Sequence, residues 1–169
     1  MSKPILYVLC GLPYSGKSTL TKKLLNKFGL KVVSMDDVID KYKFDTETMT
    51  QDQWDLVYSA GYEVLKQLLS KGSSVILDLG NLLKDERQTA KAIAEELNTN
   101  HILIYMNTSV SEIWDRWHIN EQTQERGSLT KSELQKAIDM FESPTTDENY
   151  IEYKPSENLD EWINNNINQ

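Results

Sequence analysis

Lys17, Ser18, Asp36 and Asp78 have the types and spacing to do chemistry, and a glycine-framed loop carries the first two. The stretch Gly11-Leu-Pro13-Tyr14-Ser15-Gly16-Lys17-Ser18-Thr19 is a Gly, four residues, then Gly-Lys-Ser. Glycines at its two ends let the backbone turn tightly, so successive N–H groups face inward at a polyphosphate. A helix beginning after Gly16 adds free N–H groups and the positive end of its dipole. Lys17 can reach β- and γ-phosphates, and the Ser18 hydroxyl is a hard oxygen suited to Mg²⁺. The spacing predicts that Gly11, Pro13, Tyr14, Ser15, Gly16, Lys17, Ser18 and Thr19 bind a nucleoside triphosphate. Its setting agrees: an apolar run at 5–10 reads as a buried strand entering the loop, and 19–28 as a helix leaving it.

Two more carboxylate positions follow strands. Residues 31–35 form a second apolar run that ends at Asp36-Asp37. In an open α/β sheet, ligands gather at the carboxyl ends of strands. There Asp36 or Asp37 could accept a proton from a substrate hydroxyl or hold water on Mg²⁺; as a helix starter before Val38-Ile39, either could instead be a cap. Residues 74–78 are a third buried run closing on Asp78, the form of a Walker B element whose carboxylate orders Mg²⁺. Asn81, in the turn beyond it, is placed to hold substrate or the neighbouring loop. Arg87 near the start of the next helix, and Arg116, are candidate ligands for substrate phosphates, with a solvated surface position as the ordinary alternative for Arg87.

The elements that must position these groups alternate. Helical spacing of Trp54, Val57, Tyr58, Val64, Leu65, Leu68 and Leu69 marks a helix over 51–71. A helix over 85–97 and a strand over 101–106 follow. Ser109-x-x-Glu112 and Thr130-x-x-Glu133 are capping boxes opening two helices. Between these helices, 120–127 is polar and contains Arg126, which gives the region 117–130 the form of either a lid or an exposed linker. A short strand at 150–153 and a helix opened by Ser156 complete the chain. This alternation predicts one α/β domain over 1–169, a parallel sheet with helices on both faces.

Composition narrows the function classes. The 169 residues suffice for one real core. No run of about 18 apolar residues exists to span a membrane, and Met1-Ser-Lys-Pro enters the first strand at once, which predicts no signal peptide. The single Cys10 reads as a core residue and suits a reducing cytoplasm. Residues 142–169 hold seven acids against Lys154 alone, leaving only −2 of the net charge of −8 on 1–141. That balance argues against an extended nucleic-acid surface while leaving room for a nucleic-acid end near the loop. Two histidines and one cysteine offer no metal cluster, so Mg²⁺ carried by the nucleotide is the expected metal. Nothing specifies an oligomeric state.

Together the motifs resemble the predicted-kinase group of P-loop ATP-binding proteins, related to polynucleotide 5′-kinase and to the zeta-toxin and chloramphenicol phosphotransferase kinases. The resemblance rests on the loop, on Ser-Met-Asp36-Asp37, on Val-Ile-Leu-Asp78-Leu-Gly-Asn81, on the Arg116 and Arg126-Gly127 region, and on Phe-Glu-Ser-Pro-Thr-Thr-Asp-Glu-Asn. It implies a five-stranded parallel sheet in the order 2-3-1-4-5. It also implies ATP and Mg²⁺ on Lys17 and Ser18, Asp36 as general base toward an acceptor hydroxyl, and Arg126 as a lid arginine on the phosphates. Two departures stand out: Tyr14 occupies the usual place of a glycine, and 117–125 is longer than in the polynucleotide kinase. By fold analogy alone, Lys154-Pro155 borders the base.

The reading is an ATP-dependent kinase acting on a hydroxyl of a small molecule or of a nucleic-acid end. A nucleotide-sugar kinase of the zeta-toxin type and a module that binds ATP without transferring it are the alternatives. A GTPase switch is disfavoured, because Asn-Lys-x-Asp and an Asp-x-x-Gly after the third strand are both missing.

Overall fold

A computed structural model describes residues 3–125 and 127–167. The sheet comprises β1 (Ile5–Cys10), β2 (Lys31–Ser34), β3 (Val75–Asp78), β4 (Asn100–Met106) and β5 (Tyr150–Tyr153). All neighbouring pairs are parallel, and the order is β2-β3-β1-β4-β5, as the resemblance implied. The helices are α1 (Lys17–Phe28), α2 (Met35–Tyr42), α3 (Gln51–Ser70), α4 (Lys84–Glu96), α5 (Val110–Thr123), α6 (Lys131–Met140) and α7 (Leu159–Asn166).

The central strand shows why the layers form. Side chains alternate across a strand, so β1 sends Leu6, Val8 and Cys10 to one face and Tyr7 and Leu9 to the other. The first face packs on Leu65 and Leu69 of α3 and on Ala90, Ile93 and Ala94 of α4. The second packs on Leu20 and Leu24 of α1 and on Trp162 and Ile163 of α7. A strand covered on both sides must be apolar throughout, which is why 5–10 lacks a polar alternation. A smaller cluster of Leu12, Ile113, Trp117 and Leu134 docks α5 and α6 beside the loop after β1. Where α3 passes the residue just after β3 the approach is close: a Cβ on Gly61 would lie 2.7 Å from a Leu79 methyl.

Several boundaries differ from the sequence reading for identifiable reasons. β2 ends at Ser34, whose hydroxyl accepts the Asp37 N–H, so α2 begins at Met35 and both aspartates lie in its first turn. The cap is therefore Ser34 rather than either aspartate. α5 continues through the polar segment to Thr123, burying Asn120, so the link to α6 is 124–130, shorter than the 117–130 expected. α7 is capped by Asn158, which accepts from the Asp160 and Glu161 N–H groups, instead of by Ser156. In the acidic segment, Thr146–Glu148 form a 3-10 turn.

Candidate active site

The strand order brings the carboxyl ends of β1, β2 and β3 to one edge, with α5 and α6 beside them. The loop after β1 is held by its carbonyls. Lys17 Nζ donates to the carbonyls of Gly11 at 2.7 Å and Leu12 at 3.0 Å. Arg116 donates to the Tyr14 carbonyl at 2.9 Å, and the buried Thr108 hydroxyl to that of Ser15 at 3.1 Å. The Gly16 carbonyl accepts from Thr19 and Leu20 inside α1. These loop carbonyls are thus taken by protein donors, and within the loop the Ser15 N–H donates to the Leu12 carbonyl, closing a tight turn of the kind that binds anions. Gly16 is the residue before α1, and no side chain caps that helix, so its first N–H groups remain available for a ligand.

Two backbone conformations in this loop carry a cost or a constraint. Gly11 has φ +153, and a Cβ there would meet the Met106 carbonyl at 2.9 Å and the Ser15 hydroxyl at 2.8 Å. Tyr14, which stands where a glycine is usual, adopts the left-handed φ of 65. A side chain in that region costs on the order of 1–3 kcal/mol and persists only where its surroundings over-determine it. Here the ring packs against the Leu12, Ile113, Trp117 and Leu134 cluster, and its hydroxyl accepts the Leu129 N–H at 3.4 Å.

Two cavities flank the loop. One, about 300 Å³, is lined by Pro13, Tyr14, Lys17, Ser18, Asp36 and Asp78, with Ser34, Gly80, Gly127 and Leu129 among its walls. The parallel register sets Ser34 beside Asp78, which is how two segments far apart in sequence deliver Asp36 and Asp78 to one space. Burial pushes the Asp78 carboxyl above its ordinary value, the nearby Asp36 charge adds to this, and Lys17 opposes it. The other cavity, about 340 Å³, lies on the α1 and β5 side and is lined by Gly16, Thr19, Arg116, Ile119, Tyr153 and Leu159. Tyr14 and Ser15 line both.

The donor set around the first cavity fits Mg²⁺. A hydroxyl and one or two carboxylates are hard oxygen ligands, and Mg²⁺ is held by few protein oxygens together with phosphates and water. Among the described residues no cluster of three or more His, Cys, Asp or Glu could hold a metal by itself.

The remaining sequence candidates separate. Asp37 is exposed, in the α2 turn next to Asp36, and the cavity lining contains Asp36 alone of the two. Asn81 is fully buried, and its Nδ2 donates to the Leu9 and Leu77 carbonyls at 2.9 and 3.3 Å. It ties β1 to β3 beneath the site. Arg87 is a second correction. Only 2% exposed, it is not the solvated surface arginine offered as its ordinary alternative, and its donors are taken by protein acceptors. It pairs with Glu148 through Nε at 2.7 Å and Nη2 at 3.0 Å, while Nη1 donates to the Asn81 and Leu82 carbonyls. Arg116 reaches the loop itself and pairs with Glu112 at 2.5 Å. Arg126 lies outside the described residues. Lys154-Pro155 are flanked by the residues that do line the second cavity, Tyr153 and Leu159.

Sequence reasoning missed Thr108, Tyr153, Leu159 and Trp117, whose indole donates to the Leu129 carbonyl at 2.8 Å. None sits in a motif. Only the rule that ligands collect at strand carboxyl ends pointed to the ends of β4 and β5.

Comparison with known proteins places these features. The AAA_33 family model, an AAA domain, matches residues 6–144. The L-seryl-tRNA(Sec) kinase of Methanococcus maripaludis is 27% identical over 146 residues, covering 84% of this chain and 54% of that protein. The chain thus spans about half the length of the curated relative it matches. A gluconokinase from Sinorhizobium meliloti superposes with a TM-score of 0.71 at 17% identity, covering 97% of this chain and 90% of that one. A chain of the Pnkp1/Rnl/Hen1 RNA repair complex superposes with a TM-score of 0.70 at 21% identity, covering 83% and 44%. These structures share a kinase-like P-loop fold with this chain. No helix among the described residues is long and apolar enough to cross a membrane.

Proposed function

The chain belongs to the AAA_33 family of AAA domains, and we propose that it is an ATP-dependent kinase transferring the γ-phosphoryl group to a hydroxyl acceptor. The acceptor is a small molecule or a nucleic-acid end. One observation carries the reading: Lys17, Ser18, Asp36 and Asp78 face a single cavity on one side of the phosphate loop, and a second cavity opens on the other side. A nucleotide whose base lies on the β5 side and whose phosphates rest on the loop points its γ-phosphate toward Asp36.

Phosphoryl transfer needs positioning and charge neutralisation above all. The loop N–H groups and Lys17 bind the phosphates, and Arg116 brings positive charge to the loop from α5. Arg126 is assigned to the phosphates by the family resemblance only. Ser18 and Asp78 would hold Mg²⁺, which would supply neutralisation of the phosphate charge. Asp36 takes the proton of the acceptor hydroxyl. The acceptor oxygen bonds to the γ-phosphorus as the bond to the β–γ bridging oxygen breaks, and ADP leaves with that electron pair. Leu129 and Tyr14 wall the cavity and limit entry of water, which would otherwise compete as acceptor.

The test is an ATP-to-ADP assay with Mg²⁺ against pooled hydroxyl metabolites, gluconate, a seryl-tRNA and a 5′-hydroxyl oligonucleotide, with products identified by mass spectrometry. Asp36→Asn serves as the blank. A phosphorylated product formed by the wild type alone supports the kinase and names the acceptor. Tight ATP binding without product from any acceptor refutes transfer to these classes and favours an ATP-binding module.

A further inference from the structure

Tyr14 combines three features that nucleotide binding alone does not require. Its φ of 65 holds a large side chain in a conformation suited to glycine. The residue borders both cavities and packs against the α5 and α6 cluster. Its hydroxyl accepts the Leu129 N–H, a contact spanning 115 residues of sequence. On the other side of that residue, the Leu129 carbonyl accepts from the Trp117 indole at 2.8 Å. Both backbone polar groups of Leu129 are thus held by aromatic side chains, and Leu129 with Gly127 forms a wall of the cavity that contains Asp36.

We propose that Tyr14 is a positioning residue: it fixes the Leu129 wall of the acceptor cavity to the phosphate loop, and its ring partitions that cavity from the nucleotide side so that water is kept from the γ-phosphate. The left-handed backbone at Tyr14 goes with a ring packed toward α5 and α6, at the point of the loop where Tyr14, Ser15 and Gly16 border both cavities. The inference rests on the kinase reading for its second half, the exclusion of water; the anchoring of Leu129 is a property of the protein without ligand.

The experiment separates the two. Amide hydrogen exchange on the full chain, without nucleotide, compares wild type with Tyr14→Phe, which removes the hydroxyl and keeps the ring. Exchange at Leu129 should rise about tenfold, the factor carried by one net hydrogen bond, while Leu134 and Ile138 within α6 keep their wild-type rates. ATP hydrolysis to water, measured with Mg²⁺ and no acceptor, should rise above the wild-type rate in Tyr14→Gly as the partition is lost, and less in Tyr14→Phe. Unchanged exchange at Leu129 in Tyr14→Phe overturns the anchoring. A uniform rise across α5 and α6 does so as well, since it would mean the ring only packs. Unchanged or reduced hydrolysis in Tyr14→Gly overturns the partition. If the wild type fails to bind Mg²⁺·AMPPNP in calorimetry, the nucleotide reading itself is wrong, whatever the exchange data show.

Discussion

Replacing Arg87 by Met should destabilise the protein severely and loosen the floor of the site. The side chains of Arg87 and Glu148 are only 1% and 6% exposed and form a two-pronged ion pair. Removing the guanidinium strands the Glu148 carboxylate without its main partner, a change that costs about 3–5 kcal/mol when a buried pair is broken from one side. The Asn81 and Leu82 carbonyls lose their shared donor as well, which places the expected value toward the upper end of that range. For a chain of this size the loss corresponds to a melting point lowered by about 6–20 °C. Glu148→Gln should also be costly, because one amide oxygen replaces the two carboxylate oxygens that accept from Arg87 and Thr145 and the buried guanidinium loses its counter-charge.

The same pair makes a signed pH prediction. Burial by itself raises the Glu148 carboxyl, but hydrogen bonds from Arg87 and from the Thr145 backbone outweigh it, so the folded value lies below the ordinary one. A carboxyl depressed in the folded state contributes stability above its unfolded value, near 4.3, and loses it as pH falls through the folded value. Urea unfolding between pH 3 and 7 should therefore show a steeper acid decline in the wild type than in Glu148→Gln (pH limits of roughly this span bracket the unfolded carboxyl value). An Arg87→Met variant that loses less than about 1 kcal/mol, the size of an exposed pair, would refute the reasoning. So would one whose double mutant with Glu148→Gln is merely additive, because partners in one buried network must couple.

Lys17→Ala should weaken Mg²⁺·ATP binding by about 10- to 100-fold in calorimetry, the value of hydrogen bonds to a charged group. Asp36→Asn should leave that affinity within about threefold while transfer to a true acceptor falls by about 10²–10⁴, as expected for a general base. Gly11→Ala should cost about 1–3 kcal/mol of stability by overpacking, with nucleotide affinity reduced, because its Cβ meets the Met106 backbone and cannot relax by turning a side chain alone. Chemical denaturation and calorimetry read these two effects separately.

What the sequence by itself determined is what contiguous residues encode. The phosphate loop is legible because its glycines, lysine and serine act within nine positions of one another and their conformations are locally dictated. The sheet was legible because uninterrupted apolar runs separated by helical periods admit a parallel sheet and little else; its strand order came with the resemblance rather than with the periodicity. Ser34 as the α2 cap was not read, because Asp36 and Asp37 satisfy the same local preference and only the end of the β2–β3 ladder decides between them. Tertiary structure alone decided the partners of the arginines and aromatics. Arg87 meets Glu148 across 61 residues, Arg116 meets Tyr14 across 102, and Tyr14 meets Leu129 across 115. A guanidinium looks the same in sequence whether it binds a phosphate, a buried carboxylate or a loop carbonyl. Which one it meets is set by the packing of elements far apart in the chain, and that packing moved Arg87 from the substrate to the core and made Tyr14 the bridge between the loop and α5 and α6.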